Sequence, residues 1–139
     1  MDLSYIITPF FAWLVTGCLK FLFNSFKEKR FALDLIGYGG FPSNHTSIVS
    51  STVAIVFFNE GIHSPALVVA LALAFIVVLD ANSLRRQIGK QAEAINLLNR
   101  DSEKLPLRER IGHTRVEIIA GAIVGVMSAW VIHLVFSGL

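Results

Sequence analysis

Charge is scarce in this chain of 139 residues: Asp, Glu, Lys and Arg together make up 16%. Ordinary soluble domains carry about 25%, so a surface this poor in charge is not mostly wet. Cysteine is nearly absent. The single Cys18 lies inside an apolar run and leaves room for neither an internal disulfide framework nor a cysteine-rich metal site. Internal repeats and low-complexity tracts are missing too. With 12 Lys/Arg against 10 Asp/Glu, a strongly basic arm for nucleic acid is also excluded. What the chain has instead is apolar surface: hydrophobic residues are 54% of it and the mean hydropathy is +0.64. Its length suits a single domain, residues 1–139. The composition is that of an integral membrane protein.

Uncharged runs give four candidate spans and predict an all-α membrane bundle. Leu3 to Leu19 is the first, bounded by Asp2 and Lys20; without a basic start or a small-residue cleavage site it reads as an anchor. The second lies within Leu35 to Asn59, where Gly37 to Pro42 is loop-like and a helix begins at Ser43. From Ser43 to Asn59 that helix would be roughly 25 Å long, short but enough for a thin or pinched bilayer. Gly61 to Leu79 is the third, with Pro65 tolerated in its first turn, and Thr114 to Phe136 is the fourth.

Alternating these spans puts every Lys and Arg on one side, from Lys20, Lys27, Lys29 and Arg30 through Arg85 to Arg115. The positive-inside rule makes that side cytoplasmic and turns both termini outward, as in a bacterial-type plasma membrane. Beyond Asp80 the pattern stays helical. Leu84, Ile88, Gln91, Ile95 and Leu98 share a face and predict an amphipathic extension of the third span along the cytoplasmic interface. Asn99 to Glu109 reads as a polar loop around Pro106. Small residues repeat at four-residue spacing, Gly121, Gly125 and Ala129 in one span and Ser47 and Ser51 in another. Such stripes let membrane helices approach closely, and the glycine stripe is the seam expected for a homo-oligomer.

Two segments could carry chemistry. Ser43 is a plausible N-cap, and the free N–H groups of the turn it opens form an anion site beside His45. A capped membrane helix with an interfacial histidine accounts for that segment equally well. His113 and Glu117 are four apart, so on a helix the carboxylate can fix the imidazole tautomer and leave the other nitrogen as base or nucleophile. Lys20, Lys27, Arg85 and Arg86 are candidate phosphate clamps; each also suits a topology anchor or a lipid headgroup contact. Two histidines and a store of basic groups at one membrane face fit phosphoryl transfer through a phosphohistidine. The four residues His45, Asp80, His113 and Glu117 could compete as metal ligands, but no close ligand spacing appears and no metal is expected. His63 and His133 fall on the opposite side.

Three blocks carry a family resemblance: GGFPSNHTS at 39–47, VLDANSLRRQIGKQAEAINLL at 78–98 and LRERIGHTRVEIIAGAIVG at 107–125. In their order and spacing the chain resembles the divergent branch of the type 2 phosphatidic acid phosphatases, relatives of acid phosphatases and vanadium-dependent haloperoxidases. The resemblance implies His113 as nucleophile, Glu117 in place of the orienting aspartate, and His45 as general acid. It implies Ser43 and the backbone of Asn44 at the phosphate, with Lys20 opening the first block. Position 27 is lysine where the family has arginine followed by proline, and Asn44 replaces a glycine. An arginine expected at 107 is leucine, so Arg108, Arg110, Arg85 or Arg86 would take its part. The family uses no metal and no cofactor.

The expectation is a membrane phosphatase for a lipid phosphate or pyrophosphate, phosphatidate-like or polyprenyl, with its tail in the bilayer and its site on the cytoplasmic face. The rival is a non-catalytic membrane protein that binds anionic lipid or scaffolds a partner with a degenerate phosphatase site. Haloperoxidase activity ranks below both.

Overall fold

The computed structural model describes residues 2–29, 40–100, 105–109 and 111–138, without the side chains of Lys27 and Glu28. Five α-helices account for most of them: α1 Ser4–Glu28, α2 Asn44–Glu60, α3 Pro65–Leu79, α4 Arg85–Leu98 and α5 Arg115–Ser137. A single π-helical turn, Asp80–Leu84, joins α3 to α4 without a break. No strand occurs among the described residues. Three of the helices begin on a hydroxyl cap. Ser43 accepts from Thr46 N–H, Ser64 from Ala66 N–H ahead of Pro65, and Thr114 from Glu117 N–H.

Burial is inverted relative to a soluble domain. Ser4, Thr8, Thr16, Ser47 and Ser51 are fully buried, while Phe10 is 68%, Val69 70% and Phe75 65% exposed. Water would drive those large side chains inward, whereas lipid is as apolar as they are. Three helical stretches are long and apolar enough to cross a bilayer: Ser4–Phe26, Pro65–Leu98 and Arg115–Ser137. At 17 residues α2 is shorter, and it forms the centre of the bundle, packed on α1, α3 and α5.

Close approach is what replaces hydrophobic drive inside lipid. A Cβ at Gly121 would run into the Ser43 carbonyl, and one at Gly125 into the Ser47 carbonyl. The glycine stripe is therefore spent within the chain, on α2. This corrects the expectation that it is the seam between copies. The buried face of α1 repeats every four residues through Ser4, Thr8, Ala12, Thr16 and Lys20, all at most 3% exposed. Its hydroxyls are satisfied locally: Thr8 Oγ1 donates to Ser4 O at 2.6 Å, and Thr16 Oγ1 reaches Ala12 O and Ser47 Oγ, each at 2.7 Å. Such back-bonding lets a polar row lie between helices at little desolvation cost. Lys20 ends the row. The first span consequently continues past its expected limit at Leu19, because Lys20 points into the bundle and does not mark the water boundary.

At the opposite end of the bundle, His133 Nδ1 lies 2.7 Å from Asn59 Oδ1. The Asn59 amide donates to Ser4 Oγ at 3.0 Å and Asp2 Oδ2 at 3.3 Å. These bonds tie the end of α5 and the end of α2 to the start of α1, so α2 and α5 run parallel to each other and α1 runs antiparallel to both.

Candidate functional site

The first residue of the site is held by a defect in a helix. In the π turn the Arg85 N–H bonds to Asp80 O, five residues back, and Ala81 O accepts from His113 N–H at 3.1 Å instead. Gly112 makes the approach possible. Its φ is +94°, and a Cβ there would lie 2.9 Å from Arg86 Cγ and 3.2 Å from Ala81 O. The strand of chain leading in is clamped on α4: Asn96 donates to Leu107 O at 2.7 Å, accepts from Leu107 N at 2.8 Å and donates to Glu109 Oε1 at 2.8 Å. A Cβ at Gly89 would collide with Glu109 O. The inward face of α4 is thus Gly89 and Ala92, whereas the expected apolar face, Leu84, Ile88, Ile95 and Leu98, is exposed.

His113 lies just before α5 and not on it, which corrects the expectation of a shared helical face with Glu117. Thr114 caps the helix, and Glu117 closes a capping box by accepting Thr114 N–H on Oε2 at 2.8 Å. The same Oε2 is 3.5 Å from His113 Nδ1, beyond hydrogen-bond length but close enough for its charge to act. His113 is 7% exposed, and Nδ1 is buried without a hydrogen-bond partner. Burial pulls the His113 pKa below its usual value; Glu117 opposes the shift, and Lys20 and His45 add to it. Burial thus favours the free base of the ring.

Lys20 from α1 and His45 from the first turn of α2 thus belong to the electrostatic environment of His113. Arg85, Lys20 and Asp80 act in turn on His45. Ser43 is fully buried. Its hydroxyl is 3.4 Å from Thr46 N and 3.0 Å from Thr46 Oγ1, and its own N–H donates to Glu117 O at 3.0 Å. It holds the turn, and the N–H groups of Asn44 and His45 are the ones a capped helix leaves unpaired. Arg85 Nε meets Asp80 Oδ2 at 2.5 Å, both about one-third exposed. Arg86 is exposed, its stem against Gly112. The Lys27 side chain and Arg110 lie outside the described residues. Among the described residues no three His, Cys, Asp or Glu side chains group to hold a metal ion.

The sequence reading passed over Ala81, Gly112 and Asn96, which place His113 without touching it through a side chain. Gly112 beside a histidine, and the Thr-x-x-Glu spacing at 114–117, were the available signals. Nothing in the sequence marks the π turn.

Compared with protein families, residues 1–128 match the divergent PAP2 family. The chain belongs to that family. It is also similar to an uncharacterized membrane protein, YuiD of Bacillus subtilis (strain 168). The two are 30% identical over 115 residues, covering 70% of this chain and 73% of that one. No solved structure matches the chain. A divergent PAP2 chain with exposed apolar helices is a membrane protein in contact with lipid, and phosphatase-related by family.

Proposed function

We propose that this chain is a membrane-embedded phosphatase that hydrolyses a lipid phosphate or pyrophosphate through a phosphohistidine, with its site on the cytoplasmic face. One observation carries the reading. His113 is buried with Nδ1 3.5 Å from the Glu117 carboxylate, and the charges of Lys20 from α1 and His45 from α2 act on it. With Nδ1 turned to Glu117, Nε2 attacks phosphorus as the bond to the lipid oxygen breaks. His45 serves as the general acid, giving a proton to that leaving oxygen. Water then attacks the phosphohistidine, with His45 as base, and releases inorganic phosphate. Lys20 meets the phosphoryl charge, as do the first-turn N–H groups of α2. Arg85 can join by exchanging Asp80 for phosphate.

Phosphate release from a panel of lipid phosphates by the purified protein tests this. His113→Ala should lower release by roughly a thousandfold or more, the usual scale for losing a nucleophile, while the variant stays folded. Vanadate should inhibit as a phosphate mimic. Full activity in His113→Ala would overturn the assignment.

A second reading has its own support: Leu107 stands where the wider family has arginine, and Arg85 is already neutralised by Asp80. A lipid-binding or scaffolding protein would keep its lipid affinity in both His45→Ala and His113→Ala and release no phosphate.

A further inference from the structure

Along α1 runs an open groove of about 530 Å³, lined by Trp13, Gly17, Cys18, Phe21 and Leu22 and closed on one side by Asn44 of α2. The volume is in the range of small-molecule sites, about 300–1,000 Å³. The notch exists because the two residues at its middle are small. A Cβ added at Gly17 would meet nothing within 4 Å, and Cys18 is exposed. From Trp13 to Leu22 the groove is ~14 Å long, about half of a bilayer's hydrocarbon core and so the depth of one leaflet.

Its single polar wall is informative. Asn44 is the chain neighbour of both Ser43 and His45, and its Oδ1 is buried with no hydrogen-bond partner. Lys20, on the adjoining face of α1, belongs to the charge field of both histidines. The groove therefore abuts the basic site, apolar along its length and polar only where the site begins. We infer that it seats one hydrocarbon chain of a phosphate-bearing lipid whose headgroup reaches His113. The inference rests on the phosphatase reading for where the headgroup lies. The hydroxyl or ester that joins tail to headgroup satisfies the Asn44 amide, which can present either its oxygen or its nitrogen. Gly17 and Cys18 then decide which tails fit.

Cys18 is the chain's sole cysteine, so its alkylation rate reports occupancy without any need for turnover. In detergent micelles, lysophosphatidate with a palmitoyl chain should slow alkylation of Cys18 by a maleimide about tenfold near saturation. Glycerol phosphate and monopalmitoyl glycerol, each lacking one half of the ligand, should not. In parallel, Gly17→Phe fills the notch and should lower the ratio of kcat/KM for tailed over tailless phosphate by about tenfold or more. Equal protection by monopalmitoyl glycerol would show a surface that takes any bilayer lipid and would overturn the inference. So would an unchanged ratio in a folded Gly17→Phe protein. Protection by lysophosphatidate with no turnover of any substrate supports the groove and overturns the phosphatase reading.

Discussion

A histidine placed just outside a helix is governed by what buries it, and His113 is buried more than it is paired. Its free base is the form the fold favours, so the unfolded chain, titrating near 6.5, takes up the proton first. This contribution to stability is full above about 6.5 and declines as pH falls below that value. The acid limb of a nucleophilic rate should lie below the same pH, because protonation removes the attacking lone pair. Glu117→Gln separates charge from structure. Glutamine at the third helical position keeps the capping box, whereas loss of the carboxylate removes what holds the His113 pKa up. The acid limb should therefore move to still lower pH while the rate on the plateau falls. A proton NMR titration of the ring reads the same shift without turnover, and a limb that stays in place or rises would show that Glu117 does not act on His113 by charge.

Elements declare themselves in a sequence by composition, and their contacts do not. The runs 43–59 and 114–136 reappear within a residue or two as α2 and α5, because uninterrupted apolar helix formers with a hydroxyl in front leave few alternatives. Charge misled at Lys20: a lysine ends a span only if it faces water, and this one faces Glu117 and the bundle. The glycine stripe was legible as a seam, but a stripe carries no address, and only the fold shows that α2 occupies it. The two histidines of the proposed site stand out in the sequence by type and spacing; the π turn and the Ala81 carbonyl that hold one of them are backbone events with no residue signature. The seam itself predicts a result. Gly125→Leu puts a side chain where the Ser47 carbonyl and Ser51 N–H lie, and overpacking of this kind usually costs about 1–3 kcal/mol. Thermal unfolding in detergent should show that loss, whereas Gly138→Leu, with only Leu134 O near, should not. Equal stability of the two variants would mean that α2 and α5 do not meet there.

For the molecule as a whole, the two ends of the bundle differ in kind. One end is closed by a hydrogen-bonded network of Asp2, Ser4, Asn59 and His133, while the other end carries Lys20, Arg85, Arg86 and Arg115. A bilayer sorts such ends: basic residues near spans stay cytoplasmic, and acidic ones carry little topological weight. The proposed orientation therefore puts the His63 turn outside and α4 inside. In a Cys18→Ser background, a single cysteine at position 63 should react with a membrane-impermeant maleimide in intact cells, and one at position 90 only after lysis. The consequence reaches the substrate, because the groove on α1 is one leaflet deep and abuts the basic end. Labelling confined to position 63 makes the cytoplasmic leaflet the source of the lipid. Labelling of position 90 in intact cells would turn the histidines outward and require the same groove to draw its lipid from the outer leaflet.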